Sequence, residues 1–538
     1  MRFPFGIRTP AALFVALAVA CSQASEPSDT GTVAGGCVTD FSCPFGEECD
    51  GAGCAPITSS LYPHIQTASA LSRAAIDDAE QAWRAAHYDL CISRIDPDAM
   101  RATNPRVRLF EYTIARYHRF GSGPNGPDEW ATDHGYDPED FYLHYREDVN
   151  VPTWEGIVVV PGYPPGVVPG WNPGGGGNPA SATERSQSRV IAYRNGATEP
   201  LYLANLTHPG YRRFLVEHAR QLLQGTRYGA APNATGPVDG IMVDVGIYLA
   251  QFGEGQLDRT GEFYGIAIDD DHPYAVANET LYPFLAGELR RALGVTADLM
   301  PNYGHVYFLN YPSRSTENIQ TTTPWILGEV WVTYTGAWSP TSGGNRCISY
   351  EKDYENGIVE IARQTRAGGR RIIGARDVAS GTAGTDRGKL FSLGLYYLVH
   401  NRHTYYSYDT ESGHLNPAHL STWSWNPAVE FDVGQPDVIP AGKVDFQGRA
   451  NTKEHYEFAS GADPHSPSLT YHVFARRFTN ALVLVKMLPE GSVTDDRSIT
   501  THALDGTYAP LQADGTLGAA VNVALIRNNE ALILIRLD

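Results

Sequence analysis

From residue 57 to about residue 410, short aliphatic or aromatic runs alternate with longer stretches of helical periodicity. Such a chain has few folds open to it, because each strand must be covered by the helices that join it to the next. Eight runs read as strands: a first near Ile57 to Gln66, then Tyr88–Arg94, Arg106–Tyr112, Asp239–Asp244, Ala297–Asn302, Pro324–Thr333, Arg370–Asp377 and His403–Tyr408. Helices are predicted over 69–86, from Asp96 to near Asn104-Pro105, from Pro209 onward, and over 278–293, 349–366 and 386–400. Strand and helix in this order predict an α/β fold, a (β/α)8 TIM barrel closing near residue 410.

After residue 435 the pattern changes. Thr470–Ala475, Ala481–Lys486, Ala519–Leu525 and Ala531–Leu537 are short alternating runs separated by turn formers. They predict a C-terminal antiparallel β-sandwich. A chain of 538 residues is too long for one core, which agrees with two folded units. The expected division is a signal peptide over 1–20, a tether and Cys-rich segment over 21–56, a barrel over 57–435 and a β-domain over 436–538.

The first twenty residues read as an address. Arg2 and Arg8 precede the apolar run from Ala11 to Ala20, which is too short to span a bilayer. Leu17-Ala-Val-Ala-Cys21 resembles a bacterial lipoprotein box, with Cys21 as the lipidated residue; secretion after a nearby small residue is the alternative. Cys37, Cys43, Cys49 and Cys54 lie close together and suggest two disulfides in an oxidising compartment, with three pairings open. No CxxC pair is present to favour zinc. Cys91 lies in an apolar strand and reads as a buried thiol.

The formal net charge of −19 disfavours nucleic acid as a partner. There is no HExxH motif and no G-x-S-x-G elbow, so neither zinc nor serine hydrolysis is supported. The glycine run 174–177 lacks the Lys of a phosphate loop. Asp269-Asp-Asp-His272 lacks the spacing of a calcium loop and reads as a solvated charge run. The expected cofactor and metal content is therefore none. The long excursion over 123–200 would leave the upper face of a barrel and could cover it.

Within Asp239-Gly-Ile-Met-Val-Asp244, side chains alternate, so Gly240, Met242 and Asp244 share one face. Asp244 stands where the strand gives out, and barrels carry their chemistry at that end. It reads as a catalytic carboxylate, nucleophile or base, with a loop cap as the plain alternative. Glu329, two strands on, is the matching general acid. Trp325 and Trp331 beside it would raise its proton affinity by desolvation; pairing with a core Arg is the alternative. Glycosidic cleavage commonly uses two such carboxyl groups. Asp377 is the rival for the second carboxylate, although a salt bridge with Arg376 explains it as well. Glu111, Tyr112, Asn302, Trp331, Arg376, Asp377, Tyr406 and Tyr408 are candidates for substrate contacts.

Several phrases occur in a shared order: Asn104-Pro-Arg-Val-Arg-Leu-Phe-Glu-Tyr112, Phe141-Tyr-Leu-His144, Asn205-Leu-Thr-His-Pro209, Asp239–Asp244, Pro301-Asn302, Gly328-Glu329 and Lys389–Leu398. Together they resemble a family of hypothetical bacterial glycoside hydrolases with a (β/α)8 barrel. The stretch from Arg477 to Lys486 is similar to the β-domain that follows many sugar-cleaving barrels. The resemblance covers roughly residues 60–538 and implies hydrolysis of O-glycosyl bonds. The sequence thus predicts an exported glycoside hydrolase acting on a polysaccharide or oligosaccharide. A lipid anchor would tie it to the membrane, at the outer membrane or cell surface; a periplasmic or secreted form is the variant. The competing readings are a catalytically inactive carbohydrate-binding surface lipoprotein and a structural or adhesion lipoprotein.

Overall fold

A computed structural model describes residues 47–49, 54–56, 67–72, 78–93, 96–115, 117–119, 126–142, 191–195, 199–224, 238–244, 262–263, 266–267, 277, 280–293, 298–302, 323, 325–334, 361, 365, 369–377, 386–401, 403–410, 425–445, 448–487 and 498–538. The signal peptide, Cys21, Cys37, Cys43, the strand expected near Ile57–Gln66, most of the 123–200 excursion and Asp269–His272 lie outside the described residues.

Two short strands come first, β1 (Glu47–Cys49) and β2 (Cys54–Pro56), paired antiparallel so that Cys49 stands opposite Cys54 in the backbone register. The alternating series follows: β3 (Ala68–Ser72), α1 (Asp78–His87), β4 (Leu90–Ser93), α2 (Pro97–Thr103) and β5 (Arg108–Ile114). A small antiparallel sheet, β6 (Tyr117–Arg119), β7 (Ile191–Asn195) and β8 (Glu199–Leu203), is inserted with α3 (Pro127–Asp133) before α4 (Pro209–Leu223) and β9 (Gly240–Asp244). The hairpin β10 (Glu262–Phe263) and β11 (Ile266–Ala267) precedes α5 (Leu281–Leu293), β12 (Asp298–Pro301), β13 (Trp325–Tyr334), β14 (Arg370–Asp377), α6 (Asp386–Val399) and β15 (Thr404–Thr410).

Two sheets are parallel throughout. One has the order β12-β9-β5-β4-β3 and the other β13-β14-β15. Parallel bridges join their edges at both seams, Asn302 to Leu327 and Thr67 to Tyr406. The side chains sort by strand alternation. Ala68, Leu90, Ile92, Phe110, Met242, Met300, Trp325, Leu327, Ile372 and Tyr405 form one buried cluster, which draws on each of these eight strands and on no helix. Ile241, Val243, Leu299, Ile326, Ile373 and Ala375 point the other way and pack with helix residues such as Phe214, Leu285 and Phe391. No helix among the described residues is long and apolar enough to cross a membrane.

Local chemistry explains the elements. Asp96 caps α2 by accepting from the backbone of Asp98 and Ala99, with Pro97 in the first turn. His208 plays the same part for α4, whose Tyr211, Leu215, Ala219 and Leu222 are buried as their spacing predicts. The helix expected over 69–86 differs at its start: Ala68–Ser72 is extended, and α1 spans Asp78–His87. Ala and Ser fit either conformation, and pairing with β4 decides for the strand. The third strand likewise runs two residues past Tyr112.

Gly240 opens β9 because no side chain fits there. A Cβ would stand 2.4 Å from Phe110 Cε1 and 2.5 Å from the Asp298 carbonyl oxygen. Gly240→Ala is expected to cost about 1–3 kcal/mol through overpacking. Urea denaturation of the full chain checks this, and an unchanged midpoint would show that Phe110 and β12 yield freely.

The C-terminal unit departs from the sandwich. β16 (Tyr456–Ala462), β17 (Thr470–Arg477), β18 (Ala481–Lys486), β19 (Ile499–Pro510), β20 (Val521–Arg527) and β21 (Glu530–Arg536) make one antiparallel sheet in the order β16-β17-β18-β21-β19-β20. A second facing sheet is not needed among the described residues, because α6 covers one face. Phe474, Val483, Val485, Ala531 and Ile533 pack with α6, while Val473, Leu482, Leu484, Tyr508 and Leu534 enclose a separate core on the other side. The sheet and helix meet closely: a Cβ on Gly394 would lie 2.3 Å from that of Ala531. Helix α6 is buried nearly all round, as a helix between two layers must be.

A buried polar group locks this junction. Arg476 of β17 donates through Nη1 to the carbonyls of Tyr397 (3.0 Å), Leu398 (3.3 Å) and His400 (2.8 Å), at the end of α6 where carbonyls run out of helical donors. His400 and His455 are buried near it. Burial first, and the Arg476 guanidinium second, hold His400 well below the usual imidazole range and push His455 down to about 3. Both are neutral in the fold, whereas unfolded imidazoles titrate near 6.5. Their contribution is therefore present above about pH 6.5 and is lost as pH falls toward the folded values. The expected slope is up to about 1.4 kcal/mol per pH unit for each histidine. Denaturation at pH 7 and pH 5 measures it, and His455→Gln should flatten it.

Candidate functional site

Asp244 ends β9, a strand whose five residues are all buried. Gly240 and Met242 fix the phase: Met242 lies in the cluster shared by the eight strands, so Asp244 continues the same face. The neighbouring strands repeat this logic. On β5, Phe110 precedes Tyr112; on β12, Met300 precedes Asn302. The registers set Tyr112 and Met300 level with Met242, so Asn302 ends beside Asp244 and Tyr112 stands two residues lower. Asn302 Nδ2 donates to Asp244 Oδ1 at 2.8 Å, and Tyr112 Oη donates to Oδ2 at 2.7 Å. Asp244 is 7% exposed and Asn302 3%. Both oxygens of a nearly buried carboxylate thus accept from neutral donors on the two flanking strands.

Glu329 belongs to β13, where Trp325 and Leu327 face the interior cluster and Leu327 bridges to Asn302. The register against β14 slips between Gly328 and Val332, around Glu329. The side chains of Glu329, Trp331, Arg376 and Asp377 lie outside the described residues. Trp325 is four residues earlier, roughly 13 Å along an extended strand. There its ring lies between the Arg108 and Arg370 guanidiniums, 5.7 and 4.9 Å from its centroid.

Three other expected contacts are not brought to Asp244. Glu111 is buried, but strand alternation puts it with Leu109, which packs against Ala85, Tyr88 and Met100 in the helix layer. Tyr406 exchanges a hydrogen bond with Ser392 (2.7 Å) and accepts from Asn426 Nδ2 (3.1 Å), packed between β15 and α6. Tyr408 shares that outer cluster. The inward tyrosine of β15 is Tyr405. Three tyrosines within four positions hide the phase of the strand, so the sequence does not reveal which one faces inward.

The opposite end of the strands holds ion pairs. Asp239 accepts from Arg101 (3.1 Å) and from the Leu109 backbone (2.8 Å), tying β9 to α2 and β5. Asp298 pairs with Arg108 at 3.4 Å, and burial raises its carboxyl above the usual range. At this end Asp239 serves stability. Cys91 is a fully buried thiol, as expected.

The link between Tyr112, Asn302 and Asp244 went unread in the sequence, where the first two stand as substrate contacts. The available signal is parity: each lies two residues beyond an apolar residue on the interior face of its strand.

No protein-family model and no curated protein matches the sequence. Among solved structures, the chain is similar to a mutant of MutB in complex with sucrose, with 10% identity, a TM-score of 0.40, and 89% of this chain and 99% of that one covered. It is similar to a cycloisomaltooligosaccharide glucanotransferase of Paenibacillus sp. with cycloisomaltoheptaose, at 9% identity and a TM-score of 0.31, covering 91% of this chain and 58% of that one. A third is the alpha-L-fucosidase isoenzyme 2 of Paenibacillus thiaminolyticus, at 11% identity and a TM-score of 0.34, covering 67% and 48%. Scores of this size assign neither substrate nor mechanism to the chain.

Proposed function

We propose that the protein is an exported, lipid-anchored glycoside hydrolase that cleaves glycosidic bonds of a polysaccharide. The observation that carries the reading is the placement of Asp244: a nearly buried carboxylate at the C-terminal end of a parallel strand, on the interior face, gripped by Tyr112 and Asn302. Paired seams and a common interior cluster support a closed (β/α)8 barrel over 57–435, followed by the β-domain. Asp244 acts as nucleophile or base and Glu329 as general acid. Their strands flank β12, which sets the backbones about 10 Å apart. That suits two carboxyl groups working on one bond from either side. No step in this scheme calls for a metal or cofactor. Arg376, Asp377 and Trp331 are proposed to contact the sugar. Lipidation at Cys21 and two disulfides among Cys37, Cys43, Cys49 and Cys54 complete the surface-lipoprotein reading; the Cys49–Cys54 register favours that pair.

The test is release of reducing ends from a broad polysaccharide panel by the parent, Asp244→Asn and Glu329→Gln. Cleavage by the parent alone supports the proposal. Equal release by all three removes both residues from the mechanism. Glycan binding without cleavage by the parent would make this a carbohydrate-binding lipoprotein instead.

A further inference from the structure

We propose that Tyr112 and Asn302 are positioning residues that hold Asp244 as an ionised acceptor, so that it is the attacking or water-activating carboxylate and not the proton donor. This deepens the hydrolase reading and rests on it.

The geometry supplies three reasons. First, the donors come from the two strands on either side of β9: Asn302 follows Pro301, which pairs with Val243, and Tyr112 stands level with Met242 and reaches up, so both carboxylate oxygens are held from the sheet itself. Second, the Asn302 amide nitrogen can donate but cannot accept. A proton placed on Asp244 Oδ1 would confront it and break a 2.8 Å bond. A proton on Oδ2 would force the Tyr112 hydroxyl, at 2.7 Å, to reverse. Third, Asp244 and Asn302 are nearly excluded from water, which cannot readily replace either bond. Hydrogen bonds made to the charged form favour that form.

A two-carboxylate cleavage needs one group protonated and one ionised at the same pH. The donor pair gives Asp244 the ionised role. If Asp244 attacks, an oxygen lone pair forms the bond to the anomeric carbon as the bond to the leaving oxygen breaks. If it acts as base, it takes a proton from the water that forms that bond. In both courses the leaving oxygen receives its proton from the other carboxyl group, so charge and atoms balance.

The experiment follows the Asp244 carboxyl directly, by carbon NMR titration of the full chain labelled at aspartate carboxyl carbons, with the signal assigned by its loss in Asp244→Asn. Tyr112→Phe removes one donor and keeps the ring. Asn302→Asp keeps the shape and replaces a donor with an acceptor. The titration midpoint is expected to rise by roughly one pH unit in Tyr112→Phe. It should rise further in Asn302→Asp, where two carboxylates would share a proton. A midpoint unmoved in both variants, with the fold intact by near-UV dichroism, overturns the proposal. On a cleaved glycan the acid limb of kcat/KM should move with the NMR midpoint. A parent that cleaves nothing while the midpoint shifts would sink the hydrolase reading and leave the positioning intact; cleavage with no shift would do the reverse.

Discussion

Asp244→Asn is expected to lower kcat/KM on a cleaved polysaccharide by about 10^3-fold or more while leaving the protein folded. At about 1.4 kcal/mol per decade, that is roughly 4 kcal/mol of transition-state stabilisation. The substitution suits the question because Asn has nearly the same shape as Asp. Its oxygen can still accept from Asn302, and its amide can donate to a Tyr112 hydroxyl that has turned its hydrogen away. Packing and hydrogen bonding are largely kept; the negative charge is not. An amide neither attacks an anomeric carbon well nor takes a proton from water. The denaturation midpoint should therefore stay close to that of the parent. A variant that loses activity and stability together would point to a structural carboxylate, and one that keeps both would end the catalytic role. Glu329→Gln should also lose activity, most strongly on glycans with poor leaving groups, which need the proton most.

Arg476→Met is expected to have the largest effect on stability, a loss of about 3–5 kcal/mol read by denaturant unfolding. Met keeps the apolar stem and removes the guanidinium. Carbonyls of Tyr397, Leu398 and His400 then lose their donor at a place with little water, and Lys453 loses the bond to its carbonyl at 3.1 Å. Removal of a cation from the end of α6 also forfeits its favourable field. A second readout separates this from ordinary cavity formation. Arg476 is one of the groups that hold His400 and His455 neutral. Without it their folded values rise toward 6.5, and the acid-dependent loss of stability becomes shallower. A variant whose stability falls with pH along the parent's curve, as far as acid unfolding, would show that the guanidinium and the histidines are not coupled.

The order of strands was legible because apolar runs bounded by turn formers carry a local signal. Leu90–Ser93, Gly240–Asp244, Asp298–Pro301, Trp325–Tyr334 and Arg370–Asp377 all fall within a residue or two of their predicted places. Ala68-Ser-Ala-Leu-Ser72 reads as the start of a helix because it has no local preference strong enough to oppose one; pairing with β4 makes it a strand. Strands β16 and β19 went unseen for a related reason: β16 breaks its apolar residues with Glu, Ser and Gly, β19 with Thr, His, Asp and Gly, and alternation is blurred. The sandwich was expected because one sheet must bury its face on something. One face is covered by α6, a helix more than fifty residues earlier in the chain, while the other closes on a core of its own, and no local pattern announces the pairing with α6.

For the site, the sequence determined that Asp244 shares a face with Gly240 and Met242, because the two-residue period of a strand is a property of the backbone. It could not determine which face is the interior one. That was decided by tertiary packing, through Phe110, Met300 and their neighbours closing on one side of β9. The same decision turned Tyr112 and Asn302 toward Asp244, and turned Glu111, Tyr406 and Tyr408 into the helix layer. Parity along each strand is local, whereas the phase between strands is set only when they pair. A group of residues contributed by three separate strands becomes a site at that step and not before.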